Sequence, residues 1–569
     1  MTVSAIAMGS PLISSAAADP SAATSAQAVA LGVTPTPDPV ALMGEFNSYW
    51  KPLSYDKTNS TTKSETAFRG TVLDPAVLDT NDKLVVAINN AGAADLDQQR
   101  RALVDADYVW QETYADALGP VLSKYLDDGL SSNALPNTKA AIDTAGNLGT
   151  GAAKPTFNYP RPWITDRSFT GQANPSTLNG LQTHLNIAEI PDWTDASGTK
   201  HSAGYDSLLS GYSQAFPSGH TTYAYSTGIA LAQLIPQLGP EIVTRASEAA
   251  NNRIVLGVHY PLDIMGGRII GEANNSSLWS DSSTFSSVLQ PAENEVQSYL
   301  AGRCKADGLG STLEECIKNT GANADAGYRN FFTDAVSTSP VTDRTSALAA
   351  YQARMTYGFT QTSQAGQAAV VPTGAESLLA TTFPSLTASQ RRAVLAATEI
   401  DSGYPLDSSS NGWQRLDLAA AMSSKVTLDA TGNVTKVEPG QAVASVVDPT
   451  APTSSAPSSS ETASSSPSSS DTTSSAPSST ESSTSATSTS APSSPAASSS
   501  ASVSTAPTST SSTSAAVRPV STPAAPSTKA ATVLGLPLTG ASGAEGLIGL
   551  AAVLSAAVGG LFAARKMRH

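Results

Sequence analysis

Apolar residues recur at the three- and four-residue spacing of a helix along much of this chain, whereas strict alternation of apolar and polar residues is scarce. Two early segments, 74–91 and 95–130, mix Ala, Leu and Val with charged residues in this pattern. Asp74 followed by Pro75 is typical of an N-cap and the first position of a helix. The pattern predicts an all-α fold, built as a helical bundle.

Three further helices are predicted close to a group of short polar motifs. An apolar run covers 221–238 and ends near Pro236 and Gly239. A second helix is predicted over 241–258, and a third begins beside Pro261. Because the polar motifs flank these segments, we expect the functional side chains to lie at helix ends.

The rest of the folded sequence divides into a polar loop and a helical continuation. Between Pro162 and Pro217 the chain is rich in Gly, Ser, Asn and Thr, and a loop of this length in a compact domain is usually functional or mobile. Residues 346–421 return to a mostly helical pattern, in which Thr387 with Gln390 predicts a capping box. That second region contains no constellation of catalytic residue types, so a structural role is predicted for it.

Composition limits the folded part of the chain. Residues 450–527 are almost entirely Ser, Thr, Ala and Pro, which cannot bury enough apolar surface to offset the entropy lost on folding. This segment is predicted to be a disordered stalk that follows a helical domain over 34–441, whose motif core is 154–263. The net charge of −15 and the pI near 4.8 argue against nucleic-acid binding. An anionic ligand would therefore need a local cationic pocket.

The C-terminal sequence has the features of a targeting signal. The motif Leu536-Pro537-Leu538-Thr539-Gly540 precedes an uncharged run over 546–564, near the length of about 20 residues that spans a bilayer, and then a basic tail. A plain membrane anchor is one interpretation. The whole segment 536–569 resembles the cell-wall sorting signal of Gram-positive bacteria. The resemblance implies that a sortase cleaves after Thr539 and joins it to peptidoglycan, so that the stalk spans the wall and the membrane is contacted only before sorting.

The N-terminal residues and the two cysteines agree with export. Residues 1–28 are small and apolar but lack Lys and Arg, so they resemble the later part of a signal peptide whose true start lies upstream of Met1. Cys304 and Cys316 are the only cysteines, and an exported chain favours a disulfide between them over metal ligation. Closing so short a loop would stabilise the fold by about 3 kcal/mol.

Three motifs carry the chemistry of this chain: Lys, six residues, Arg-Pro; then Pro-Ser-Gly-His; then Arg, five residues, His, three residues, Asp. Lys and Arg match phosphate oxygens, and the first turn of a helix presents unpaired N–H groups to an anion. A carboxylate on one ring nitrogen of a histidine leaves the other nitrogen free to attack. Each residue alone is more often structural, but the set suits covalent chemistry on a tetrahedral oxyanion. Its members are Lys154, Arg161, Ser218, Gly219, His220, Arg253, His259 and Asp263.

Together these motifs resemble the superfamily of type 2 phosphatidic acid phosphatases, bacterial class A acid phosphatases and vanadium haloperoxidases. Asn252 departs from the pattern, because Ser is usual there. The resemblance implies a helical bundle of that type, in which His259 attacks phosphorus, Asp263 orients it and His220 protonates the leaving alcohol. No metal is required by this scheme, because positioning and electrostatics supply the catalysis. The resemblance also implies that the phosphoryl oxygens are held by Lys154, Arg161, Ser218, Gly219 and Arg253.

The leading prediction is a secreted, wall-anchored acid phosphatase that hydrolyses phosphomonoesters without a cofactor. A vanadium-dependent haloperoxidase is a second hypothesis, because vanadate resembles phosphate in shape and charge; it would be the cofactor there and an inhibitor of a phosphatase. The motifs are also compatible with a lipid phosphate phosphatase, and the stalk with a catalytically inactive surface adhesin. The expected partners are a phosphorylated small molecule, the sortase and peptidoglycan.

Overall fold

The computed structural model describes residues 37–53, 70–147, 149–151, 153–164, 170–171, 184–186, 190–195, 198, 200–201, 214–407 and 412–450. The predicted leader over 1–28, nearly all of the predicted stalk and the sorting signal lie outside these residues, as does most of the loop between Pro162 and Pro217. None of the helices in the described ranges has the length and apolar character needed to cross a membrane.

Helices form the body of the described chain, and this part of the all-α prediction is confirmed. In chain order they are α1 (Pro39–Leu42), α2 (Pro75–Ala93), α3 (Leu96–Ala106), α4 (Trp110–Ser131), α5 (Pro136–Gly146), α6 (Ala153–Phe157), α7 (Gly219–Leu234), α8 (Gly239–Val255), α9 (Pro261–Ser280), α10 (Ser282–Thr284), α11 (Gln290–Ala306), α12 (Leu313–Thr320), α13 (Arg344–Thr356), α14 (Ala388–Thr398) and α15 (Leu418–Met422). Short turns of 3₁₀ helix cover Gly44–Ser48, Pro236–Leu238, Ala375–Leu379 and Trp413–Arg415, and a π-helical turn covers Phe285–Leu289.

Local capping explains several helix starts. The Asp74 carboxylate accepts the backbone N–H groups of Ala76 and Val77, so α2 begins at Pro75 as predicted. The predicted capping box of Thr387 and Gln390 is also present at α14. Each cap satisfies backbone N–H groups that have no partner inside the helix.

The helical pattern over 95–130 is interrupted, which its sequence did not predict. Helix α3 ends at Ala106 and α4 begins at Trp110. Tyr108 lies in the left-handed region with φ of 58°, and a residue in that conformation cannot continue a right-handed helix. The chain therefore turns at Tyr108, and this turn contributes to the site described below.

Helix α8 lies at the centre of the body. It packs against α2, α3, α4, α7, α13 and α15, and all of its residues are buried, including charged ones. A buried charge is costly unless it is paired. Arg245 accordingly makes two hydrogen bonds to the Asp105 carboxylate on α3, of 2.6 and 3.0 Å. The polar residues of α8 thus face other helices and not solvent.

Three small sheets lie among the described residues, and the all-α prediction was wrong to omit them. Strands β1 (Trp50–Pro52), β2 (Gly70–Val72) and β3 (Thr170–Gly171) form one sheet, with β2 antiparallel to β1 and parallel to β3. Strands β4 (Trp193–Thr194) and β5 (Lys200–His201) pair antiparallel. In the third sheet β6 (Lys425–Leu428) pairs antiparallel with β7 (Val434–Glu438) and parallel with β8 (Ser445–Val447). Such short strands show too few alternations to be recognised from sequence.

The segment that follows α11 is linked to it by one disulfide and contains several short helices. A disulfide joins Cys304 in α11 to Cys316 in α12, with Cα atoms 5.9 Å apart. The region predicted as a mostly helical continuation, 346–421, contains α14, α15 and most of α13, but long irregular stretches separate them. Trp413 and Leu416 from this region are buried in the core.

Candidate active site

The N-terminus of α7 presents the Ser218-Gly219-His220 motif. Ser218 is the N-cap, and its hydroxyl oxygen accepts hydrogen bonds from the backbone N–H and the hydroxyl of Thr221 at 3.2 and 3.0 Å. Both contacts use the oxygen as an acceptor, so the hydroxyl proton can be donated to a ligand. A Cβ added to Gly219 would find its nearest neighbour, the Lys154 Cε, 4.0 Å away, so the backbone here is open to a ligand.

His259 and Asp263 meet at the start of α9. The two residues are four positions apart in the sequence, but His259 precedes the helix, whose N-cap is Tyr260. Asp263 reaches back, and its Oδ2 atom accepts the Tyr260 N–H at 2.8 Å and faces His259 Nδ1 at 3.0 Å. The carboxylate therefore caps the helix and contacts the histidine with the same oxygen.

Arg161 contacts the other ring nitrogen of His259. Its Nη1 atom lies 2.7 Å from His259 Nε2 and 2.7 Å from the carbonyl oxygen of Val258. A guanidinium can only donate, so Nε2 accepts and carries its lone pair on the side of the cation. The ring proton then lies on Nδ1 and is donated to Asp263. This tautomer is the one that a nucleophilic Nε2 requires.

Further contacts bring the remaining predicted residues to the same place. Lys154 on α6 donates from Nζ to the carbonyl oxygens of Gln214 and Ala215, at 2.8 and 3.3 Å, just before the Ser218 motif. The Ser218 N–H donates to the carbonyl oxygen of Asp263 at 3.0 Å, which joins the starts of α7 and α9. Arg253 is buried in the last turn of α8, and its charge acts on both His220 and His259.

Burial and mutual repulsion shift the pKa values of these groups. The pKa values of His220 and His259 are well below the usual range, first because of burial and then because of Arg161, Arg253 and Lys154. Burial and the neighbouring arginines also lower the pKa of Lys154, and burial lowers that of Arg161 to about 10. Arg253 is buried and Lys154 and Arg161 are half-buried, and these cations repel one another in a site where an anion would relieve the repulsion.

Two carboxylates act on these cations: Asp263, which is buried, and Asp107, which is only partly shielded from solvent. Burial raises the pKa of Asp263 to about 7, while the Tyr260 N–H, Arg161 and Lys154 act in the opposite direction. Burial also raises the pKa of Asp107, against the charges of His201 and Arg253. The carboxylates therefore compensate the cations only in part, and the site favours an anionic ligand.

Tyr108 contacts the site but was not identified from the sequence as a part of it. The hydroxyl of Tyr108 lies 2.9 Å from His220 Nδ1, and the ring centroids are 4.1 Å apart. Asn252, which departs from the usual Ser, is buried and donates to Asp105 at 2.7 Å while it accepts from Gln98 at 2.6 Å. No sequence signal marked Tyr108, because the helical pattern continues across it.

One of the comparisons with known proteins matches the part of the chain that contains the site. Residues 140–280 match the family model described as the PAP2 superfamily. An acid phosphatase of Zymomonas mobilis subsp. mobilis is 30% identical over 104 residues, which is 18% of this chain and 39% of the relative. A non-specific acid phosphatase of Providencia stuartii is 28% identical over 81 residues, or 14% and 32% of the two chains. One from Salmonella typhi is 33% identical over 57 residues, or 10% and 23%.

The matched segment contains the three sequence motifs, and the matches cover less than two fifths of the length of each of these relatives. The family match covers 141 of the 569 residues of this chain.

Proposed function

We propose that this protein is an exported acid phosphatase that hydrolyses phosphomonoesters through a phosphohistidine at His259. One observation carries the proposal. Nε2 of His259 accepts from Arg161 within a group of cations, while Nδ1 faces Asp263. A nucleophile with a fixed tautomer thus lies where a phosphoryl group would be held. The acid phosphatase names of the similar proteins agree with this reaction.

In the first step the phosphoryl oxygens bind the cations, and Arg161 exchanges its contact with His259 for one with the substrate. The Nε2 lone pair then forms a bond to phosphorus while the bond from phosphorus to the leaving oxygen breaks. His220 gives its proton to that oxygen, so that an alcohol departs. Lys154, Arg161 and Arg253 compensate the charge on the phosphoryl oxygens, and the Ser218 hydroxyl and the Gly219 backbone add donors.

In the second step water attacks the phosphohistidine. His220, now neutral, takes a proton from the water, and the bond from His259 Nε2 to phosphorus breaks. Phosphate leaves, and His259 regains its lone pair. The low pKa of His259 supports this cycle in acid, because the nucleophile stays neutral at pH values where an ordinary histidine would be protonated.

The direct test is hydrolysis of p-nitrophenyl phosphate by the full chain at pH 5 to 7 with EDTA present. Turnover should persist in EDTA, be inhibited by vanadate and be lost in His259→Ala. In His220→Asn the phosphoenzyme should accumulate, because water activation is lost while p-nitrophenol still departs. Phosphohistidine is stable in base, so ³¹P NMR after an alkaline quench should detect it.

An inactive but folded wild type would contradict the phosphatase. The next assay would then be halide oxidation by hydrogen peroxide with added vanadate, since the same cations suit vanadate. Absence of both activities would favour the adhesin. Comparison of soluble and lipid phosphomonoesters would decide the substrate class, and a soluble phosphomonoester is proposed.

We also propose that the protein is attached to the cell wall of a Gram-positive bacterium. The order of Leu536, Pro537, Thr539 and Gly540, the apolar run over 546–564 and the basic tail supports this. Mass spectrometry of wall digests should find a C-terminal peptide that ends at Thr539 bound to peptidoglycan. Recovery of an intact tail in the membrane fraction would favour the plain anchor instead.

A further inference from the structure

Tyr108 lies against the residue to which the proposed mechanism assigns proton transfer. Its hydroxyl is 2.9 Å from His220 Nδ1, and the two rings are tilted by 34° with centroids 4.1 Å apart. The contact uses one ring nitrogen of His220. A proton exchanged with the substrate or with water must then pass through Nε2.

The turn at Tyr108 is built by contacts from two other helices. Tyr223 on α7 donates from its hydroxyl to the Tyr108 carbonyl oxygen at 2.8 Å, and its ring meets that of Tyr108 edge-on at 4.9 Å. Three residues earlier, Asp105 is held by Arg245 and Asn252 of α8. These contacts hold a non-glycine residue at φ of 58°, a conformation that would not persist without support.

The charges around His220 explain why a neutral acceptor is useful there. Protonation of His220 is opposed by three cations, namely Arg253 on α8, and Arg161 and Lys154 in or near α6. The same three cations oppose protonation of the neighbouring His259. A hydrogen bond with the Ala106 backbone acts in the other direction. Burial raises the pKa of Tyr108, so its hydroxyl stays neutral and can accept the Nδ1 proton.

We propose that Tyr108 is a positioning residue for His220. Its hydroxyl accepts the Nδ1 proton and so keeps Nε2 as the nitrogen that gives a proton to the leaving alcohol and takes one from water. This inference rests on the proposed phosphatase mechanism for its catalytic consequence. The contact itself can be tested without turnover.

The kinetic test is Tyr108→Phe in the full chain, assayed with two leaving groups. The ratio kcat/KM reports steps up to departure of the alcohol. Alkyl phosphate hydrolysis depends strongly on the acid, so its kcat/KM should fall about tenfold or more. The value for p-nitrophenyl phosphate should change by about twofold at most, because p-nitrophenolate departs with little help. Equal losses with both substrates would indicate a purely structural role and overturn the proposal.

A matched control is Tyr299→Phe, which removes the same hydroxyl group from a tyrosine on α11 that contacts Arg303. It should leave both kcat/KM values unchanged.

The independent test is ¹⁵N NMR of the histidine-labelled full chain, in which His220 is one of five histidines and is assigned with His220→Gln. Neutral His220 should carry its proton on Nδ1 in the wild type, and Tyr108→Phe should shift the population toward the Nε2–H tautomer. An Nε2–H tautomer in the wild type would overturn the proposal, even if Tyr108→Phe did not fold. A wild type with the Nδ1–H tautomer but no phosphatase activity would instead overturn the proposed function alone.

Discussion

Helix α8 carries two buried arginines two turns apart, and they differ in how far neighbouring carboxylates compensate their charge. Arg245 lies in a cluster with Arg101, in which the carboxylates Asp105, Asp116 and Glu248 contact the guanidinium groups. Against the effect of burial, the carboxylates raise the pKa values of both arginines, and the two arginines lower the pKa of Glu248. The charges in this cluster compensate one another within the protein.

Arg253 lies in the second cluster, where compensation is incomplete. Its neighbours Lys154 and Arg161 have pKa values below their usual ranges, and burial raises the pKa of Asp263. Arg245 and Arg253 are both buried, so burial of a charge alone does not mark a functional site. The clusters differ in that carboxylates raise the pKa values of the arginines in the first, whereas burial and repulsion lower those of Lys154 and Arg161 in the second, where a ligand of opposite sign would improve the electrostatics.

The largest effect is expected when a cation is removed from the uncompensated cluster. Arg253→Met should lower kcat/KM for p-nitrophenyl phosphate about 10³-fold, because one of the groups that stabilise the phosphoryl charge is lost. Steady-state kinetics with the folded variant measures this. A loss below tenfold would mean that Arg253 does not contact the phosphoryl group.

The matched change in the compensated cluster should act on stability. Arg245→Met removes the guanidinium that donates two hydrogen bonds to the buried Asp105 carboxylate, and the free energy of unfolding should fall by about 3 kcal/mol. Urea unfolding monitored by circular dichroism measures the change. The folded variant should keep kcat/KM within a few fold of the wild type, and a loss as large as that of Arg253→Met would contradict the division between the clusters.

Phosphate should stabilise the wild type through the uncompensated cluster. At a concentration of 100 times its Kd, inorganic phosphate should add about 2.7 kcal/mol to the free energy of unfolding. The same addition should stabilise Arg245→Met equally and Arg253→Met much less. Equal stabilisation of both variants would place the anion elsewhere on the protein.

The smallest expected effect is on the pH profile. In the enzyme without substrate, His220 is protonated and can act as the acid only below its lowered pKa. The ratio kcat/KM therefore falls as the pH rises above that pKa. A bound phosphate dianion compensates the cations and raises the pKa of His220. The alkaline limb of the kcat profile should therefore lie about one pH unit above that of the kcat/KM profile. Profiles with an alkyl phosphate, corrected for substrate ionisation, measure this. Coincident limbs would mean that the ligand does not relieve the repulsion on His220.

Much of the framework was predictable because the responsible interactions are local. Asp74 and Thr387 cap helices through atoms that lie within three residues, so their patterns can be recognised in the sequence. The spacing of the three polar motifs likewise predicted which side chains form the candidate site. The structure brings these side chains together at the starts of α7 and α9 and the end of α8.

The sequence by itself determined the helical character of the body, its capped starts and the residue types available for anion chemistry, because these depend on neighbours along the chain. Only the tertiary structure decided the break at Tyr108, the capping of α9 by Asp263 and the pairing of Asn252 with Asp105. The contacts around Tyr108 and Asn252 join residues more than 100 positions apart, and the charge excess around Arg253 appears only when separate helices meet. Helical periodicity contains no information on which buried charge finds a partner.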